Sequence, residues 1–273
     1  MFDHWINGIR WNLSDKKTRR FASADAIVVT LPKSGTTWLR VFLYSYFSGL
    51  DRREFTMNAE DFTPGKIPRI VITQDLFFHV TEPKLLARLR GRHLIPPRQR
   101  REKPILLLVR DPRDVMVSLY FELSKKSVRR KFVGELGEMI EHPKFGIRMI
   151  VEIMNSWIRE WADKPNFKLI HYETCRTESE RTFREVLHFL GFKEIDEPVL
   201  QQSLQFASFE NMQKLEAQHK IPIGELLRTD VKDPESFRVR RGKIGGYRDY
   251  FDSDRLLVLE RAIAHLDRRY GYN

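Results

Sequence analysis

The residues best suited to do chemistry stand in one short run, Pro32-Lys33-Ser34-Gly35-Thr36-Thr37-Trp38. The run follows a β-branched stretch, Ala26 to Leu31, and precedes TTWLRVFLYSYF, which is apolar nearly all round. A strand, a turn and a buried helix are expected there. A turn of this kind presents the unpaired backbone N–H groups and the positive dipole end of the helix, a ready anion site. Gly35 lets the backbone approach a ligand closely, Thr36 and Thr37 add hydroxyls, and Lys33 adds a point charge. The pattern is not that of an ATPase. A Walker A loop, G-x-x-x-x-G-K-[ST], needs an earlier Gly and a Lys after the second one. Here Thr36 holds that place and the lysine lies upstream of the glycine.

Such a turn needs a sheet to hold it. RIVIT (69–73), ILLLV (105–109) and FKLIHY (167–172) repeat the buried-strand pattern. ILLLV ends at Arg110, after which Asp111-Pro112 supplies an N-cap and a first-turn proline for a helix. Residues 147–161 space their apolar side chains by three and four, as an amphipathic helix does. Thr177 and Glu180 read as a capping-box pair ahead of a helix ending near Gly191, and 254–266 is helical again. Strands alternating with helices predict an α/β fold, a central parallel sheet with helices on both faces. In such sheets ligands bind at the carboxyl ends of the strands. The turn after Leu31, the end of RIVIT and Arg110 all fall at that edge. No internal repeat or linker divides the chain, so 1–273 is expected to be one domain.

Composition narrows the class further. With 19 Phe, 8 Tyr and 5 Trp in 273 residues the chain holds too much apolar surface to stay disordered. No apolar run has the length of a membrane helix, and the opening MFDHWINGIRWNLSDKK lacks a signal-peptide core. The lone Cys175 can form no internal disulfide, which fits a reducing compartment and a cytoplasmic location. The net charge of +11 is concentrated. Segment 88–103 carries a net +6 and segment 125–131 a net +5, so together they hold the whole excess. Runs of this kind are solvated surface or bind a polyanion.

PKSGTTW resembles the 5′-phosphosulfate loop of the sulfotransferases that use 3′-phosphoadenosine-5′-phosphosulfate (PAPS), and further motifs follow in the family's order. RDPRDVMVSLYFE, from Arg110, is similar to the 3′-phosphate segment, in which an Arg and a Ser eight positions later hold the phosphate. Tyr172-Glu173 matches the family's tyrosine and acid on a later strand. Ser208-Phe209-Glu210-Asn211-Met212 matches Ser-Phe-x-x-Met, and RRGKIGGYRDYF, 240–251, resembles R-K-G-x-x-G-D-W-K-x-x-F. The resemblance spans about residues 26 to 251 and implies the sulfotransferase fold, of the P-loop nucleotide-binding type, and PAPS as co-substrate, released as PAP.

The resemblance also implies roles. Lys33 would stabilise charge on the leaving oxygen, while Ser34, Gly35, Thr36 and Thr37 cradle the 5′-phosphate. Trp38 and Phe209, with Ser208 beside it, would hold the adenine. Arg110, Ser118, Arg240, Arg241 and Gly242 would bind the 3′-phosphate, and Tyr172 would complete the pocket. Sulfuryl transfer asks mainly for positioning and charge stabilisation, and a lysine can stand in for a metal, so a metal-free in-line transfer to a hydroxyl or amine is expected.

Departures from the family pattern fall on the base. Many members read P-R-I-x-K-T-H at the second strand; here Ile72 and Gln74 replace the Lys and the His. A neutral amide cannot take a proton, which makes Asp75 the first candidate base and His79 the second. Ala207 replaces a Thr, and Gly246-Tyr247 replaces Asp-Trp. The family's short dimer motif is not evident, leaving the oligomeric state open. The two basic segments suggest an anionic small-molecule or glycan acceptor, with Arg98, Arg100 and Arg101 holding it. No nucleic-acid partner and no membrane span are expected. A non-catalytic PAP-binding protein and a P-loop kinase are the alternatives.

Overall fold

The computed structural model describes residues 16–63, 65–82, 84–126, 132–218 and 241–273, with the backbone alone for Lys125 and Lys126. Among them the chain runs through α1 (Lys16–Ala22), β1 (Ala26–Thr30), α2 (Thr36–Leu50), β2 (Ile70–Thr73), α3 (Asp75–Thr81), α4 (Leu85–Leu89), α5 (Pro97–Glu102) and β3 (Ile105–Val109). It continues through α6 (Pro112–Phe121), a π-helical turn (Glu122–Lys126), α7 (Leu136–Met139), α8 (Ile147–Trp161), β4 (Phe167–His171), α9 (Tyr172–Thr177) and α10 (Ser179–Phe189). Last come α11 (Glu197–Phe206), α12 (Phe209–Ala217), a 3-10 turn (Gly246–Asp249) and α13 (Ser253–Ile263).

The strands form one parallel sheet in the order β2-β1-β3-β4. Every residue of β1 and β3 is buried, which accounts for their unbroken apolar runs. The two-residue period of a strand sends alternate side chains into separate cores. Ile27, Val29, Ile105 and Leu107 face Ile150, Met154, Trp157 and Trp161 of α8, while Val28, Leu106 and Leu108 face Val41, Phe42 and Leu43 of α2 and Phe183 of α10.

The register fixes the functional edge. Val29 pairs with Thr73, Thr30 with Leu108, and Val109 with His171, so all four strands end nearly level. Leu31, Gln74, Arg110 and Tyr172 leave the sheet along that one edge. The chain passes from β1 to β2 on one side and then to β3 on the other, so β1 and β3 flank a switch point where such sheets bind ligands.

One local expectation fails. Thr177 does not cap α10; its hydroxyl donates to the carbonyl of Glu173 (3.2 Å), because α9 already occupies 172–177 and Glu178 becomes the residue before α10.

Candidate active site

The turn after β1 is held from beneath. Ser34 is fully buried: its N–H donates to the carbonyl of Leu31 (3.1 Å), and its hydroxyl donates to the carbonyls of Leu31 and Leu108. This corrects one expectation, since a serine used twice to pin the turn to the sheet has no donor left for a phosphate. Gly35 caps α2 without a side chain and sits at φ +95°, in the left-handed region. A Cβ there would lie 2.9 Å from Cδ2 of Tyr172, so only glycine fits. The first N–H groups of α2 thus point outward with no side-chain cap. Thr36 donates to Oγ1 of Thr30 (2.9 Å), tying the helix start to β1.

These groups open into a cavity of about 550 Å³. Lys33, Gly35, Thr36, Thr37 and Trp38 line it from the turn, Arg110 and Ser118 from β3 and α6, Tyr172 from the end of β4, Phe209 from α12, and Arg241 and Gly242 from the segment before the 3-10 turn. Ser208 is not in the lining. Its side chain accepts the N–H of Asn211 as the cap of α12, so its work is to start the helix that carries Phe209. Arg240 lies outside the described residues.

Positive charge dominates the walls. Arg20, Lys33, Arg40, Arg110, Arg176, Arg241 and Lys243 meet only Asp114 and Glu122 of opposite sign among the described lining residues. Arg110 lies 4.5 Å from the centre of the Tyr172 ring and donates to the backbone carbonyls of Lys243 (3.0 Å) and Lys33 (3.4 Å). Its buried Nε has no hydrogen-bond partner among the described residues. Asp114 fastens the wall: it accepts the N–H groups of Gly245 and Tyr247, both at 2.9 Å, and a bond from Arg110 (3.3 Å). Burial pushes the Tyr172 phenol above its ordinary range, so it offers a neutral hydroxyl. Arg176 stands over both Trp38 (5.9 Å) and Phe209 (5.1 Å), bridging two aromatic faces. Lys33 meets Glu122 at 2.6 Å.

Neither candidate base from the strand-end reading is at this cavity. Asp75 is 0% exposed, turned beneath α3 into the core. Its Oδ1 accepts from Arg100 (2.9 Å) and the N–H of Ile95 (2.8 Å), and its Oδ2 from Arg100 (2.8 Å) and Nε1 of Trp157 (3.3 Å). Its acceptor capacity is filled and no acceptor molecule can reach it. His79 is 2% exposed in the same layer, and burial, reinforced by Arg88, lowers its pKa to about 4. Gln74, which lines the cavity in their stead, carries no charge to receive a proton.

The basic segments are corrected likewise. No residue of 88–103 lines the cavity. Arg100 is buried between Asp75 and Glu160, and Arg98 pairs with Glu102 one helical turn away. The side chains of 125–131 lie outside the described residues. Among the cations that do line the cavity, Arg40 and Arg176 stand singly among other residues, and Arg20 ends the short run KKTRR, which carries no motif of its own. Arg20 and Arg40 are on the helices that flank β1, and that placement could have flagged them.

A parallel sheet with a glycine-turn anion site at its switch point defines a P-loop-type α/β protein. The sulfotransferase domain model matches residues 23–269. The chain is 25% identical over 251 residues to cytosolic sulfotransferase 13 of Arabidopsis thaliana, covering 87% of this chain and 75% of that protein. It is 26% identical over 234 residues to sulfotransferase 2A1 of Homo sapiens, covering 83% and 78%. Its fold is similar to that of a mouse sulfotransferase crystallised with PAP, with a TM-score of 0.62 at 17% identity over 89% of this chain and 83% of that one. The chain belongs to the sulfotransferase family, enzymes that transfer a sulfuryl group.

Proposed function

We propose that this chain binds PAPS along the carboxyl edge of β1, β3 and β4 and moves its sulfuryl group to a hydroxyl or amine of a small molecule held on the β2 side. The observation that carries this reading is the convergence on one cavity of the glycine turn, Arg110 with its unpartnered Nε, and the Arg241-Gly242 backbone. They present two anion sites with aromatic faces nearby, which suits a nucleotide bearing phosphates at both ends. PAP bound to the mouse neighbour supports the same choice.

The donor supplies the sulfuryl group; this chain supplies its surroundings. Gly35, Thr36 and Thr37 offer backbone N–H donors to the 5′-phosphate, and Thr37 adds its hydroxyl. Arg110, Ser118, Arg241 and the Gly242 N–H receive the 3′-phosphate. Trp38 is fixed by its Nε1 bond to the carbonyl of Ala207 (2.7 Å) and, with Phe209 and Arg176, provides stacking faces for the base. Gly242, at φ +58°, lies where a Cβ would meet Phe209 at 2.8 Å, so glycine keeps the backbone against that ring. Lys33 faces the leaving oxygen, where a fixed cation lowers the barrier most.

The sheet order supports an acceptor end beside β2. β2 lies across β1 from β3 and β4, so its neighbours are farthest from the Arg110 and Tyr172 groups. Ile70, Ile72, Thr73 and Gln74 line that end with Phe78, Tyr44, Arg20 and Arg40. Apolar walls with two guanidinium groups suit a small acceptor with an apolar body and an anionic group.

A melting titration with adenosine 3′,5′-bisphosphate, run beside Mg-ATP and with chelator, tests the nucleotide reading. At a hundred times its Kd a ligand stabilises by about 2.7 kcal/mol. A chelator-insensitive shift with the bisphosphate is expected, followed by release of bisphosphate from PAPS in an acceptor screen. A shift with Mg-ATP alone would replace this reading with the kinase.

A further inference from the structure

Of the two described carboxylates at the cavity, Asp114 is engaged by two backbone N–H groups and Arg110. No described histidine lines the cavity. Glu122 is differently placed. It opens the π-helical turn that follows α6, four residues after Ser118, and its side chain keeps 27% exposure beside Lys33. A π-turn widens a helix by one residue per turn and often serves a functional side chain. Here it carries Glu122 to 2.6 Å from the amino group that faces the leaving oxygen.

We propose that Glu122 is the general base of the transfer, resting on the sulfuryl-transfer reading above. The ion pair with Lys33 holds the carboxylate at the reacting atoms until the donor gives that ammonium a second anionic partner. The acceptor O–H bond then breaks with its proton passing to a carboxylate oxygen of Glu122. The acceptor oxygen's electron pair forms the new O–S bond. The S–O bond to the 5′-phosphate breaks, and its pair stays on the departing adenosine 3′,5′-bisphosphate, whose oxygen Lys33 faces. Solvent takes the proton from the partly exposed carboxylate afterwards. The base that Gln74 cannot supply from β2 comes from the end of α6, across the cavity.

The test combines turnover with a binding measurement that needs no chemistry. Bisphosphate release from PAPS is followed with the best acceptor of the screen, or with water as acceptor where none scores, and adenosine 3′,5′-bisphosphate is titrated calorimetrically. Glu122→Gln should slow turnover by about 10²–10⁴-fold, the range of general-base catalysis, while binding the bisphosphate as tightly as wild type or tighter. Formate, a small carboxylate, should restore part of the turnover of Glu122→Ala, which a merely structural role would not permit. Glu122→Asp keeps the charge and the fold but withdraws the carboxylate by one methylene, and should lose at least about tenfold. Turnover of Glu122→Gln or Glu122→Asp within threefold of wild type overturns the proposal. So does a loss that merely follows lost bisphosphate affinity, or a wild type that binds bisphosphate yet turns over no acceptor, water included. Failure of the wild type to bind bisphosphate would instead overturn the PAPS reading itself.

Discussion

Substituting Asp75 separates a buried structural carboxylate from a catalytic one. In Asp75→Asn the shape is kept, but one acceptor oxygen becomes an NH2 group facing donors. Arg100 presents Nη2 to both oxygens at 2.9 and 2.8 Å, with the N–H of Ile95 at 2.8 Å and Trp157 Nε1 at 3.3 Å. At least one of these donors loses its partner in a fully buried place, and Arg100 loses one of its two countercharges. Removing one partner of a buried pair costs about 3–5 kcal/mol. Glu160, 2.6 Å from Arg100, remains to hold the guanidinium and brings the expected loss to about 3 kcal/mol, the low end of that range. For a domain of this size that lowers Tm by roughly 6–12 °C. Urea unfolding should show the loss, while bisphosphate affinity and turnover per folded molecule stay within a few-fold of wild type at a temperature where the variant is folded. In a double-mutant cycle with Arg100→Met the two costs should fall short of adding, because the second change removes a charge already left short of a partner. A variant that melts like wild type but has stopped turning over would refute the reasoning and return Asp75 to the role of base.

Gly35→Ala places a Cβ 2.9 Å from the Tyr172 ring at φ +95°; a stability loss of about 1–3 kcal/mol and at least tenfold weaker bisphosphate binding should appear by melting and calorimetry. Arg40→Gln should raise the KM of an anionic acceptor by about 10–100-fold, the worth of one hydrogen bond to a charged group, and leave the KM of PAPS nearly unchanged. Stability should fall as pH drops from about 6.5 to about 4, because the unfolded chain binds a proton at His79 that the fold, through burial and Arg88, refuses until about 4. Below that window the folded protein takes the proton too and this contribution levels off. Denaturant unfolding across the range should show a shallower pH slope in His79→Gln.

The sheet was legible because β1 and β3 are buried on both faces and so read as unbroken apolar runs, and because the PKSGTTW turn has few other uses at a strand end. β3 falls at the expected 105–109, while β1, β2 and β4 are each one residue shorter than expected. What residue type could not reveal was the direction of a side chain. Ser34 and Thr37 stand three residues apart, yet one is pinned into the sheet and the other lines the cavity. Ser208 sits beside Phe209 and spends its oxygen on a helix cap. Segment 88–103 reads as one basic run, but its Arg100 is core, tied to a carboxylate twenty-five residues earlier. Pairing across that distance leaves no periodic trace in the sequence.

The candidate base shows why position in a motif and position in space part company. β2 ends at the reacting edge beside Gln74, and the nearest acid in sequence is Asp75. A helix starting at residue 75 sends that first side chain back between α8 and α5, where Trp157 and Arg100 receive it. The cavity is closed on its other side by α6, and a carboxylate placed there approaches Lys33 from a different element altogether. What the chemistry requires is a proton acceptor within reach of the bond being made. It does not prescribe which strand or helix delivers it. A glutamate four residues beyond Ser118, drawn to the lysine by opposite charge, meets that requirement where the sequence offers only an amide at the strand end.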